Sequence, residues 1–102
     1  MNLTEETMER VALLFPVERR EEAALLLDRE CSNNLPFLEK ASPADLERFH
    51  FAALKLSDGN LDQLRDAIQL ANYDWRDLLV AAGFAHSCDA HLQWRPGKGE
   101  RA

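Results

Sequence analysis

Ser42-Pro43-Ala44-Asp45-Leu46-Glu47-Arg48-Phe49-His50-Phe51-Ala52-Ala53-Leu54-Lys55-Leu56-Ser57-Asp58-Gly59-Asn60-Leu61-Asp62-Gln63 settles the architecture of this chain. Its first four residues form a helix start: a hydroxyl able to cap free N–H groups, proline at the first helical position and an acid at the third. Leu46, Phe49, Ala53 and Leu56 recur at helical spacing, and Phe51, Ala52 and Leu54 make the second half apolar nearly all round. Such a helix is expected at the centre of a fold, touched on several sides. Ser57-Asp58-Gly59 ends it, with Gly59 free to take the left-handed cap, and Asn60 with Gln63 restarts the chain at once. A link of about two residues makes the two helices neighbours.

Downstream of this run, Leu61, Leu64, Ala67, Ile68 and Ala71 share one face until Asn72-Tyr73 breaks it. Asp74 caps a last short helix in which Trp75, Leu78, Leu79 and Ala82 align, Gly83 stops it, and Phe84-Ala85 folds back to seal the core. Upstream, Met8, Val11, Ala12 and Phe15 form an i, i+3, i+4, i+7 stripe, which predicts a helix from Leu3 to Leu14. Pro16 pushes Phe15 out of helical geometry and fits the first turn of a second helix, where Ala24, Leu27 and Cys31 face one way and Leu25 to Leu27 widen that face. Ser32-Asn33-Asn34-Leu35-Pro36 breaks it. Leu35, Phe37 and Leu38 are expected to plug the core from a short helical turn.

Nothing alternates with period two, β-branched residues are few, and no internal repeat emerges. The expected fold is therefore all-α: a compact bundle of four main helices with additional short helical pieces. Within 102 residues, 46% of them hydrophobic and 29% charged, there is room for one domain and one core. We assign it to residues 1–94. The segment 95–102, Arg95-Pro96-Gly97-Lys98-Gly99-Glu100-Arg101-Ala102, reads as a flexible tail, with Leu92 and Trp94 as the anchors before it.

Charge narrows the function classes. The formal net charge is −6 and the pI about 5.0. Residues 95–102 hold three bases and one acid, a local +2, which leaves −8 on residues 1–94. Non-specific nucleic-acid binding is mostly cationic neutralisation of phosphates, so such a body points away from DNA and RNA. The helix-turn-helix pattern from Leu61 to Phe84 does not change this, because Arg76 is the single base of its second helix, between Asp74 and Asp77. No apolar run approaches the roughly 20 residues of a membrane span, and the N-terminus lacks a basic and then apolar leader, so a cytoplasmic location is expected. Cys31 and Cys88, far apart, are too sparse for a disulfide framework and read as reduced thiols.

Three groups of residues carry candidate chemistry. His86-Ser87-Cys88-Asp89-Ala90-His91 places two imidazoles, a thiol and a carboxylate within six residues, and zinc accepts all three ligand types. His86, Cys88 and His91 are therefore the candidate ligands, or the centre of a thiol enzyme with a histidine as base. Surface histidines beside a packed Cys88 are the plainer reading. His50, between Phe49 and Phe51, is expected to be half-buried and hydrogen-bonded. In Asp74-Trp75-Arg76-Asp77 the acids cap the helix and Trp75 anchors it, which leaves Arg76 for an acid on the preceding helix or for a partner.

The third group is acidic: Glu5, Glu6, Glu9, Glu18, Glu21 and Glu22 crowd the first quarter of the chain, partly offset by Arg10, Arg19 and Arg20. If Glu18, Glu21 and Glu22 form a binding surface, its partner is a basic protein. Asp74-Trp75-Arg76-Asp77-Leu78-Leu79 followed by Ala81-Ala82-Gly83-Phe84 resembles a string found in small bacterial proteins without an assigned activity. The resemblance covers the last third of the chain, implies a bacterial origin and transfers no functional residue. The expectation is a small acidic cytosolic protein-interaction module, with a protein partner or a second copy of the chain and without nucleic acid, membrane or cofactor. The alternative is the zinc or thiol enzyme at His86, Cys88 and His91.

Overall fold

In a computed structural model that describes residues 3–36, 38 and 41–96, five α-helices and one 3-10 helix follow one another. They are α1 (Glu5–Leu14), α2 (Val17–Glu30), α3 (Pro43–Ser57), α4 (Leu61–Tyr73), α5 (Trp75–Ala82) and the 3-10 helix η1 (Ala90–Gln93). No strand occurs among the described residues, and none of their helices is long and apolar enough to cross a membrane. The all-α reading holds.

Helix α3 is the centre that its apolar second half requires. It packs against α1, α4, α5 and η1, while α2 is held by α1 and α4. Phe49, Phe51, Ala52, Ala53 and Leu54 are all buried. Its start has a full capping box: Ser42 Oγ accepts from the Asp45 N–H at 3.1 Å, and an Asp45 carboxylate oxygen accepts from the Ser42 N–H at 3.1 Å. Its end is tighter than expected, because Asp58 (φ 50°) takes the left-handed cap and Gly59 (φ 80°) continues in the same region. Asn60 then caps α4 by accepting from the Gln63 N–H at 2.9 Å.

The other boundaries follow local chemistry, with small corrections. Helix α1 starts at Glu5 rather than Leu3, because Thr4 caps it by accepting from the Thr7 N–H at 3.1 Å. Phe15 is extended, as a residue before proline should be, and Pro16 is the N-cap of α2 rather than its first helical residue. Helix α4 runs through Asn72 to Tyr73 before Asp74 breaks it and caps α5. The described part of 31–36 is turns and bends that bury Leu35, with no helical turn, and Phe37 lies outside the described residues.

The largest correction concerns the inward face of α1. Met8 and Ala12 are exposed, and the buried face is Thr7, Arg10, Val11 and the partly buried Leu14. Val11 and Phe15 of the expected stripe are buried, while Met8 and Ala12 give way to an arginine and a threonine that find buried partners. Elsewhere the expected faces are in place: Ala24, Leu27 and Cys31 on α2, Leu64, Ala67, Ile68 and Ala71 on α4, Leu78, Leu79 and Ala82 on α5. Phe84 seals the core, whereas Ala85 is exposed. Trp75 is only partly buried, its ring 5.2 Å from that of Phe49, and its indole N–H is buried without an acceptor.

At the C-terminal end Trp94 is buried, Leu92 is half exposed, and the fold continues past residue 94. Pro96 is buried and Arg95 donates to Glu9 at 2.8 Å. Residues 97–102 of the expected tail lie outside the described residues.

The α3–α4 corner yields a comparison of two glycines. Both have positive φ, but a Cβ on Gly59 would sit 2.5 Å from the Leu14 carbonyl oxygen, while at Gly83 the nearest atom is the flexible Lys55 Nζ at 3.8 Å. Gly83→Ala should cost about 1 kcal/mol of backbone strain alone, and Gly59→Ala at least about 1 kcal/mol more, since backbone must move. Urea denaturation of the two variants measures the difference; equal losses would mean that Gly59 is not pressed against α1.

Candidate functional site

Ionisable and polar side chains gather under the junction of α1, α3 and the C-terminal segment. Arg10 is 2% exposed although it sits on a ten-residue surface helix. Its guanidinium carbon lies 4.2 Å from the Phe51 ring centroid. Nε donates to the Trp94 carbonyl at 3.2 Å, and Nη1 donates to the Glu6 carbonyl at 3.0 Å and to Glu9 Oε1 at 3.2 Å. Burial, followed by the nearby Arg95, lowers its pKa from the ordinary arginine value. It remains a cation, held by carbonyl dipoles and one carboxylate.

Glu47 on α3 lies beside this group. Its Oε2 accepts from the Thr4 hydroxyl at 2.7 Å. Because that takes the single Thr4 hydroxyl hydrogen, the Thr7 hydroxyl 2.9 Å away must donate to Thr4, which also accepts the Thr7 N–H. The cap of α1 is thereby tied to α3. The other carboxylate oxygen, Oε1, lies 3.4 Å from His91 Nε2 without hydrogen-bond geometry, so both His91 ring nitrogens are buried and unbonded. The His91 ring packs edge-on to Phe51 at 5.1 Å and Phe84 at 6.3 Å between centroids. Burial pushes its pKa below the usual histidine value; Glu47 pulls upward, and Arg48 and Arg10 push further down.

A cleft of about 570 Å³ opens next to this cluster, lined by Leu3, Thr4, Leu46, Glu47, His50 and Asn33 among others. His50 forms part of its base. It is 2% exposed, more deeply buried than expected, and its Nε2 lies 2.9 Å from Ser32 Oγ. Ser32 gives its hydroxyl hydrogen to the Leu27 carbonyl, so the histidine must be the donor to Ser32, which fixes the Nε2–H tautomer. Burial pushes the His50 pKa down to about 4.

The sequence cluster His86, Cys88 and His91 is not brought together. His86 and Cys88 are exposed, whereas His91 is turned inward to Glu47 and two phenylalanines. Asp89 is engaged by the Ser87 hydroxyl. No group of three or more His, Cys, Asp or Glu side chains among the described residues is arranged to hold a metal ion. Cys31 is buried elsewhere in the core, and burial pushes its thiol up to about 12, far from a thiolate nucleophile.

Arg76 grips Asp74, its own helix cap, with Nε and Nη2 at 2.9 and 2.8 Å, and so holds that carboxyl below the usual range. An acid beside its own helix start takes the role expected of one on the preceding helix. Glu18 and Glu21 are exposed on α2, and Glu22 pairs with Arg65 of α4. What sequence reading missed is the set Thr4, Thr7, Arg10 and Glu47. The available signal was the i, i+3 spacing of Thr4, Thr7 and Arg10, which continues to the partly buried Leu14 one helical turn later. No family model, curated protein or solved structure matches the chain.

Two outcomes test this geometry. Arg10→Met keeps the apolar stem but strands the Trp94 carbonyl, and should cost about 2 kcal/mol, against under about 0.5 kcal/mol for Glu9→Gln on the exposed side of the same group. Equal effects would remove Arg10 from its clamping role. His50 is neutral in the fold and has an ordinary pKa when unfolded, so its contribution is complete above about pH 6.5 and is lost as pH falls toward 4. Full loss corresponds to about 3 kcal/mol. Urea unfolding across that range checks it, with a shallower pH dependence expected in His50→Gln.

Proposed function

We propose that the protein is a non-enzymatic interaction module that binds a basic protein partner through its acidic outer surface. Four longer helices serve as a bundle-like scaffold, and the expected setting is a bacterial cytoplasm. The observation that carries this reading is where the cations go. Arg10 donates to the carbonyls of Trp94 and Glu6, and Arg20 to those of Phe15 and Ala12. Arg48 donates to the Phe84 carbonyl and Lys55 to the Ala82 carbonyl. Four bases are thus committed to main-chain acceptors, two of them, Arg20 and Lys55, at helix C-terminal ends where carbonyls are otherwise orphaned.

Several of the described carboxylates face outward instead. Glu5, Glu6, Glu18, Glu21 and Asp66 are exposed, and the body of residues 1–94 carries −8. A surface of this kind steers a cationic partner and repels phosphate. Glu18 and Glu21 contribute charge from α2 and Glu22 through its pair with Arg65, while Arg76, the other candidate binding residue, is engaged with Asp74 at the start of α5. Exposed Leu13 and Val17 at the α1–α2 corner add apolar area next to the acids.

Affinity for a partner recovered by pull-down, measured at low and high salt and with Glu18, Glu21 and Glu22 changed to Gln, tests the proposal. Binding should weaken several-fold in each case, because exposed charges are screened beyond about 8 Å at physiological ionic strength. Affinity that ignores both salt and the substitutions would overturn it. Zinc titration separates it from the His86, Cys88 and His91 alternative: no stoichiometric binding is expected, and one equivalent bound with proton release would favour the metal reading.

A further inference from the structure

The segment after Phe84 is held by few contacts. One 3-10 helix of four residues is flanked by turns, and its amides bond only locally, Leu92 to the Asp89 carbonyl at 3.1 Å and Trp94 to the His91 carbonyl at 3.1 Å. What fixes it to the body is a short set of side chains. Trp94 packs toward Phe51 and Phe84, Arg10 holds the Trp94 carbonyl, Arg95 reaches Glu9, and His91 fills the space between the two phenylalanines.

His91 is the odd member of this set. It is 2% exposed, and neither ring nitrogen has a hydrogen-bond partner. A neutral imidazole tolerates that site at the cost of unmade hydrogen bonds, whereas an imidazolium would bring two N–H donors and a charge into it. The charged groups that face it are Arg10 from α1, Glu47 and Arg48 from α3, and Asp89 in its own segment. Two cations on the body side oppose the added charge. Against them stand Asp89, which leaves with the segment, and Glu47, one oxygen of which is bonded to Thr4 while the other lies 3.4 Å from His91 Nε2, at ion-pair distance; burial of both ring nitrogens together with the two arginines outweighs that pull.

We propose that the segment from Ser87 to Pro96 is a latch that closes over α3 only while His91 is uncharged, and that mild acid opens it locally, ahead of global unfolding. Opening frees the imidazole to take its proton in water and uncovers the Phe51 and Phe84 rings with the Arg10 guanidinium between α1 and α3. The surface uncovered is an aromatic groove bordered by Arg10, Arg48 and Lys55 and by the Glu47 carboxylate. This latch does not rest on the reading of the protein as a partner for basic proteins.

Amide hydrogen exchange of the full chain between pH 7.5 and 5.0 tests it, with protection factors corrected for the intrinsic rate at each pH. The amides of Leu92 and Trp94 should be less protected than those of Leu54 and Leu64 at every pH. Below about pH 6.5 their protection should fall progressively, by at most about tenfold per pH unit, the limiting slope for one proton taken up on opening. In His91→Phe the slope at Leu92 and Trp94 should vanish while the His50-linked fall at Leu54 persists. If that variant does not fold, NMR titration of the His91 ring in the wild type decides, with an ordinary or raised pKa counting against the latch. Protection at Leu92 and Trp94 that stays flat, rises in acid, or equals that of the core throughout would overturn it.

Discussion

A charged guanidinium inside a hydrophobic core organises this molecule. Arg10 lies against the Phe51 face and donates to carbonyls of its own helix and of Trp94, eighty-four residues on in the chain. Burying an unpaired cation costs far more than a small domain can offset, so the site exists only because every element around it is in register. Helix α1 must present Arg10 inward, α3 must offer an aromatic face, and the C-terminal segment must bring a carbonyl to the right place. The cap at Thr4, bonded to Glu47 of α3, holds the same helix one turn earlier. Termini and centre are joined by polar contacts embedded in apolar packing.

The same economy recurs at the helix ends. With five α-helices among the described residues, many terminal carbonyls need donors, and short connections leave little backbone to supply them. Long cationic side chains fill the gap: Arg20 at the end of α1, Lys55 at the end of α5 and Arg48 just beyond it. The end of α2 uses carboxamides instead, with Asn34 and Asn72 both donating to the Glu30 carbonyl. Cations near helix C-termini also oppose the negative end of the helix dipole.

The candidate site shows why closeness in sequence is a poor guide to chemistry. His86, Cys88 and His91 are within six residues, yet the turns before Ala90 and the 3-10 helix that starts there leave the first two exposed and the third buried. The groups that do meet, Thr4, Arg10, Glu47 and His91, come from positions up to 87 residues apart and carry no local signature. His50 was recognisable as a packed histidine from its phenylalanine neighbours. Its hydrogen-bond partner, Ser32, was not, because that pairing depends on how the turn after α2 lies over α3.

Helix class, the boundaries near Ser42, Gly59, Asn60, Asp74 and Gly83, and the central role of α3 were legible along the chain, because caps and apolar periodicity act within a few residues. The inward face of α1 was legible only at Val11 and Phe15. A stripe of Met8, Val11, Ala12 and Phe15 scores well on hydrophobicity, but Thr7 and Arg10 win the interior by completing hydrogen bonds to Thr4 and Trp94 that no local pattern reveals. Burial of a polar group is decided by whether distant partners satisfy it, and those partners exist only once α1, α3 and the C-terminal segment have docked.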